Sequence, residues 1–365
     1  MAPPVLSSLE LNRATLARQM LLARAQNVGV PAAIERIGGM QAQEPKHPFI
    51  GLWTRVEGFS GESLLGALAE RDVVRATLMR STLHLFSAAD YAALRLALQP
   101  PASVALRVLG ARAGGLDPVA VVAAARDLLA GRPLTFDAIR AGLQDRFPDV
   151  DDRALGYAAR TLVPLVMVPD AAGRWGYPRV CEFALAEEFL DGPLASAAPD
   201  ALVERYLGAY GPASAGDLQT WSGLGGMKAV LEGMRDRLAV FADQRGRELF
   251  DLPGAPRPDA DVEAPGRFLP EFDNLVLAHD DRSRVIAAEH RPLVTTKNLR
   301  VKATFLLDGV VAGTWTIERR RKVATLTLAP FRKLLKRARA ELDAEGEALL
   351  RFAEPDARSW DIRLA

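Results

Sequence analysis

Gln41 and Gln43 are the residues of this chain whose type and spacing point most directly to chemistry. They sit in the run Gly38-Gly39-Met40-Gln41-Ala42-Gln43-Glu44-Pro45. On a helix, side chains two apart diverge, because only i+3 and i+4 neighbours meet. On an extended segment they share a face. Gly38-Gly39 stops the preceding helical pattern, and Pro45 biases Glu44 towards extended geometry, so the two amides are expected to project together from a non-helical stretch. Paired amides are poor bases, but they can hold a water or the polar edge of a ligand with matched donors and acceptors. The bland alternative is a loop satisfied by its own amides. Glu44 could be offered as a base, yet at i+1 from Gln43 it faces the other way.

Other chemistries find little support. Cys181 is the single cysteine, which removes an intrachain disulfide or a thiolate cluster. The histidines His47, His84, His279 and His290 show no i+3 or i+4 pairing, so no metal site is expected. No cofactor motif is present. The net charge of +1 conceals a basic band: Arg319, Arg320, Arg321, Lys322, Arg332, Lys333, Lys336, Arg337 and Arg339, with no acid between Glu318 and Glu341. Such a band suits a polyanion, and equally a solvated helix face plus a charged edge strand. No apolar run approaches membrane length, and Met1-Ala2-Pro3-Pro4 begins no signal peptide, so a cytoplasmic protein is expected.

The elements that must position these residues follow a repeated plan. Between 199 and 255, apolar spacing gives a helix over 201–210, broken at Gly211-Pro212. Ser214 to Asp217 reads as a capping box opening a short helix to Trp221, then comes a helix over 227–238. Two strands joined by a polar run at 243–247 complete the unit. Residues 117–180 repeat it, with Thr135 and Asp151 or Asp152 as caps and a hairpin of 165–168 with 174–177. Residues 9–98 form a looser copy, with helices at 12–25, 31–37 and 60–70, the last capped by Ser60, a hairpin of 73–79 with 81–86, and a closing helix to Leu98 capped at Ser87–Asp90. Helix, turn, helix and hairpin is the winged-helix plan, here in three tandem copies. Beyond 265 come short strands, including 275–278 and 285–286, one helix over 331–343 and a last strand over 360–364. These suggest a small barrel or curled sheet. The fold class is therefore α+β, with three winged helix-turn-helix units over 1–100, 101–195 and 196–264 and a β-barrel-like domain over 265–365.

With these pieces assembled, the chain resembles the winged-helix DNA glycosylases of the AlkZ-like family over nearly its whole length. The resemblance rests on Met40-Gln41-Ala42-Gln43, on Met79-Arg80-Ser81-Thr82-Leu83-His84-Leu85, and on Tyr210 to Ser214 with Trp221 to Leu224. It rests also on Leu269-Pro270-Glu271-Phe272-Asp273-Asn274 and His279 to Arg284. It implies three winged helices curved around DNA, closed by a β-barrel. The family's catalytic motif is Gln, an apolar residue, then Gln or Asp. This chain is similar to the Gln-ending branch, which includes self-resistance enzymes of antibiotic producers. Ser81 departs from the glycine common at that position.

The resemblance gives the glutamines a task. A glycosylase cuts C1′ from a base nitrogen through an oxocarbenium-like transition state. Glutamine takes no proton near neutral pH, so it suits a leaving base that already carries positive charge. An N7- or N3-alkylated purine departs neutral and needs no general acid. Gln41 and Gln43 would then position water and offer oxygen dipoles near the sugar. The implied partner is double-stranded DNA bearing alkylated purines, bound by a monomer. Arg80, Thr82 and His84 alternate on one strand face and could touch phosphate or line the pocket. Arg282 and Arg284 could grip phosphates, and Arg319, Arg320, Arg321 and Lys322 are the first choice for backbone contact. Asp273 and Asn274 are expected to orient a neighbouring loop. Trp175, Tyr177 and Phe250 suit an aromatic core better than intercalation. A winged-helix transcription regulator and a non-enzymatic scaffold are the rival readings. The first predicts a dimer on a palindromic site, the second no salt-dependent DNA affinity.

Overall fold

The computed structural model describes residues 2–100, 102–170, 172–196, 199–296 and 298–365. Among them no single helix is long and apolar enough to cross a membrane. The chain opens with β1 (Val5–Leu6) and a helix over Ser8–Arg18. That helix starts four residues before the expected Asn12, because Ser7 and Glu10 form a reciprocal capping box. It ends at Arg18, since Met20 takes a left-handed φ of 56°.

The first stretch continues with helices over Val30–Arg36, His47–Trp53 and Gly61–Ala69, the last capped by Ser60 as expected. Its strands are β2 (Met40–Gln41), β3 (Val73–Thr77) and β4 (Leu83–Ser87). The second stretch has helices over Pro118–Leu129, Phe136–Arg146 and Asp152–Leu162, with a core of its own built on Val121, Ile139, Leu143 and Leu155. It supplies β5 (Leu134–Thr135), β6 (Leu165–Met167) and β7 (Glu182–Leu185). Here the expected hairpin is corrected: β6 pairs with β7, not with 174–177, which are turn and loop. The strands of both stretches join in one six-stranded sheet, ordered β2-β4-β3-β6-β7-β5, through the pair Ala76 and Val166.

The third stretch has helices over Pro199–Tyr210, Ala215–Ser222 and Met227–Gly233. Its capping box, Ser214 with Asp217, is the one read from the sequence. Its hairpin, β8 (Ala239–Asp243) and β9 (Glu248–Asp251), accepts β1 as a parallel third strand.

The C-terminal part is not a closed barrel. β10 (Arg267–Leu269), β11 (Thr304–Leu307), β12 (Val310–Arg320), β13 (Val323–Pro330) and β14 (Ser359–Leu364) form an open five-stranded sheet in that order. Closure would need β10 to meet β14, and these lie at opposite edges. The stretches 275–278 and 285–286, expected as strands, are 3₁₀ turns and loop, with Asp273 and Asp281 capping the turns. A helix over Lys336–Ala353 covers one face, its Leu342, Leu349 and Leu350 packed with Phe268, Phe305, Leu326 and Leu328. Each such fully buried side chain contributes about 1.5–3 kcal/mol. The helix begins five residues after the expected Phe331, because Pro330 still pairs with Gly313 on β12.

Candidate active site

Gly38 and Gly39 set the entry to the glutamine motif. Both have positive φ, 71° and 80°, so the chain turns sharply out of the preceding helix. A Cβ at Gly39 would lie 2.1 Å from the Phe86 ring, so the backbone must pass close to that ring. The chain then pairs with β4, setting Gln41 opposite His84, and Ala42 N–H extends the pairing to Leu83 O at 2.8 Å. Gln41 is only 8% exposed. Gln43 falls just past the strand end, at a bend, and is exposed, as is Glu44.

Two arginines fix this segment. Arg75, on β3, donates through Nε to Ala42 O at 2.9 Å and through Nη2 to Gln43 O at 3.0 Å. Its guanidinium lies 5.1 Å from the Tyr177 ring centroid. Arg80 donates Nη2–H to Gln41 Oε1 at 3.3 Å and Nη1–H to Trp221 O. Burial pulls the Arg80 pKa down to about 10, which still leaves it charged at neutral pH. Arg80 and Ser81 both occupy left-handed backbone, at φ 55° and 56°, in the turn between β3 and β4. A glycine would carry that conformation without strain, which gives the Ser81 departure a physical cost on the order of 1 kcal/mol.

Behind Gln41 lies a narrow cavity lined by Gln19, Gly39, His47, Arg55, Tyr210, Asp273 and Asn274, among others. Asp273 and Arg55 form a buried two-pronged ion pair at 2.8 and 2.9 Å. Asn274 donates to Gly39 O at 3.3 Å, and Gln19 donates to Ile37 O at 3.3 Å and Ala209 O at 2.9 Å. The expectation that Asp273 and Asn274 orient a neighbouring loop is thus given its atoms. Arg75, Arg55, Gln19 and His47 were not singled out from sequence. Buried arginines in apolar patterns carry no local mark of the distant carbonyls they hold.

The remaining candidates scatter. His84 is fully buried, with Nδ1 at 3.0 Å from Thr82 O, and Thr82 donates to Met79 O at 3.1 Å. His84 therefore faces the interior and reaches no phosphate. Arg284 is likewise buried, donating to Pro212 O at 3.0 Å and Thr15 Oγ1 at 3.3 Å. Burial at both positions corrects the expectation of a phosphate contact, and His84 Nε2 has no hydrogen-bond partner among the described residues. Arg282 is half-buried, with Nε donating to His279 O at 3.3 Å. Arg319, Arg320, Arg321 and Lys322 crowd the exposed tip of the β12–β13 hairpin. Arg319 pairs with Glu354 at 3.3 Å and Arg320 with Glu318 at 3.2 Å, whereas Arg321 and Lys322 have no ion partner among the described residues. Tyr177 and Phe250 are buried, as their core reading required, and Trp175 packs edge-on against Phe49 at 5.0 Å.

Burial drives the His47 pKa down to about 4 and the His84 pKa to about 3, with Arg80 adding to the latter. His279 is lowered too, by burial and then Arg284. These rings are neutral in the native protein at pH 7. Below about pH 6.5 the unfolded chain takes up protons that the native chain refuses, so stability is complete above 6.5 and falls with acidification. From pH 6.5 to 4.5, His47 and His84 should each withdraw on the order of 2–3 kcal/mol. Thermal midpoints should drop accordingly. A midpoint flat between pH 7 and 5 would show that the rings titrate normally.

Comparison with known proteins adds three findings. A family model described as DNA glycosylase AlkZ-like matches residues 34–352. An interstrand DNA cross-link repair glycosylase of Streptomyces sahachiroi is 27% identical over 329 residues, covering 84% of this chain and 87% of that protein. The solved structure of Streptomyces sahachiroi DNA glycosylase AlkZ matches with a TM-score of 0.82 at 22% identity, over 99% of this chain and 100% of that one, and so shares its fold.

Proposed function

The chain belongs to the AlkZ-like DNA glycosylase family, and from that premise we propose that it hydrolyses the N-glycosidic bond of cationic alkylated purines in duplex DNA. The substrates are N7- or N3-alkyl purines, including bulky adducts and cross-links. The observation that carries the reading is the chemistry of the groups around Gln41. At neutral pH the cavity offers amides, a neutral His47, the Tyr210 hydroxyl, made a weaker acid by burial, and the Asp273 carboxylate, the last held by Arg55. No lining group stands ready to protonate a leaving base. In the reaction the water oxygen bonds to C1′ and the C1′–N bond breaks. Its electron pair quenches the positive charge on the purine, and the water proton passes to solvent. Gln41 and Gln43 place the water and set amide oxygens towards the developing sugar cation.

The helix, helix and hairpin order of the first three stretches supports three winged-helix units over 1–100, 101–195 and 196–264. The cationic hairpin tip at Arg319, Arg320, Arg321 and Lys322 is the surface best placed to neutralise phosphates. The named activity of the Streptomyces relative supports interstrand cross-links as a substrate. The protein acts as a monomer in the cytoplasm on this reading.

Base release decides the matter. Duplexes carrying N7-methylguanine, a bulky N7 adduct or uracil are incubated with the enzyme, and abasic sites are revealed by alkaline cleavage. Release of either cationic purine, with uracil at background, is expected. Release of uracil at a similar rate would remove the charge argument, and release of neither cationic base would remove the substrate class.

A further inference from the structure

The cavity behind Gln41 leaves about 10 Å³ in which a water centre can sit, which is room for one molecule. Three lining side chains present buried polar atoms with no hydrogen-bond partner among the described residues: His47 Nδ1, Asn274 Oδ1 and the Tyr210 hydroxyl. Gln19 approaches that hydroxyl without reaching hydrogen-bond geometry. Gln41 Oε1 accepts from Arg80, while its NH₂ donates to no described protein atom. Leaving so many polar atoms unpaired in one place would cost about 1–3 kcal/mol for each buried one.

Resting on the reading of Gln41 as the water-organising residue, we propose that His47 and Asn274 are positioning residues that hold one ordered water against the Gln41 amide. Donor and acceptor counts agree. The water donates to His47 Nδ1 and Asn274 Oδ1, and accepts from the Tyr210 hydroxyl and the Gln41 NH₂. His47 must then be neutral with its proton on Nε2, which its depressed pKa allows. Arg80 holds the oxygen end of Gln41 and the water holds the nitrogen end. The amide cannot flip, and the second lone pair of Oε1 keeps one direction. The same water ties β2 to the turn after β10 and to the end of the helix over Pro199–Tyr210, so three distant parts of the chain register on one side chain.

Two measurements test this. A high-resolution crystal structure of the protein should show a water within hydrogen-bond distance of His47 Nδ1, Asn274 Oδ1 and Gln41 Nε2; an unoccupied cavity there overturns the proposal, whatever the enzyme cleaves. Single-turnover base release then reads function. His47→Leu removes the ring nitrogens and should slow the chemical step roughly tenfold, with duplex affinity and thermal midpoint nearly kept. His47→Asn sets an amide near the Nδ1 position and should recover most of the rate. Equal loss in both folded variants assigns His47 to packing and overturns the role, as does a His47→Leu rate equal to wild type. Absence of base release by wild type on every cationic duplex counts instead against the substrate reading, while the crystallographic result still decides the water.

Discussion

Gln41→Ala is expected to slow base release from an N7-alkylguanine duplex by on the order of 10²-fold or more under single-turnover conditions, with duplex affinity changed less than threefold. The size follows from what one preorganised dipole is worth at a site where charge develops. Gln41 is pinned by Arg80, lies on a paired strand and is nearly buried, so its oxygen costs little to orient. Alanine leaves that strand intact, because the backbone pairing to β4 and the Arg75 clamp on Ala42 and Gln43 do not use the side chain. Gln43→Ala should also slow release while binding persists. Its exposed side chain stands where a duplex can reach it, and its carbonyl stays held. Retention of wild-type rates in Gln41→Ala would move catalysis away from this motif.

Asp273→Ala should produce the largest loss of stability among single substitutions near the site, about 3–5 kcal/mol. The Arg55 side chain is 1% exposed and that of Asp273 is 4%, so the deletion strands a guanidinium in the interior. Asp273 also accepts from Leu275 N–H at 3.0 Å, and that cap sets the turn from which Asn274 reaches Gly39. The damage should therefore appear twice, in a lowered thermal midpoint and in slower base release at temperatures where the variant is folded. The double variant Arg55→Met with Asp273→Leu removes both charges. It should recover a good part of the midpoint and little of the rate. A midpoint in Asp273→Ala equal to wild type would show that the pair is solvated in solution.

What the sequence made legible and what it hid divide along physical lines. Local signals survived: Ser60, Ser87, Thr135, Asp151 and Ser214 all cap helices, since capping needs only residues three apart. The Ser7–Glu10 box is an equally local signal, and it starts the first helix at Ser8 rather than at the expected Asn12. Failures came where partners lie far apart in sequence. Glu182–Leu185 runs directly into a short helix, yet β6 recruits it as a strand. Apolar Leu275, Val276, Val285 and Ile286 imitate strands, but Asp273 and Asp281 bond the following backbone and turn the chain instead. At the site, the extended geometry of the glutamine segment could be argued from Gly38, Gly39 and Pro45. The split between a buried Gln41 and an exposed Gln43 could not, because it depends on His47, Tyr210 and Asn274 arriving from three other places.

The opening segment sets the order in which the chain can be completed during synthesis. Val5 and Leu6 pair with Ala242 and Asp243, Arg18 pairs with Asp251, and Asn12 donates to the carbonyls of Arg284 and Gly309. Every one of these partners leaves the ribosome more than 200 residues later. At roughly 5–20 residues per second, the first helix waits about ten seconds to a minute before its partners exist. Leu16 on that helix and Leu21 just after it stay uncovered for that time, since the buried residues they pack with all lie beyond 268. Residues 5–18 are thus made well before they are secured, and a nascent chain halted before about residue 240 should hold that segment open to protease.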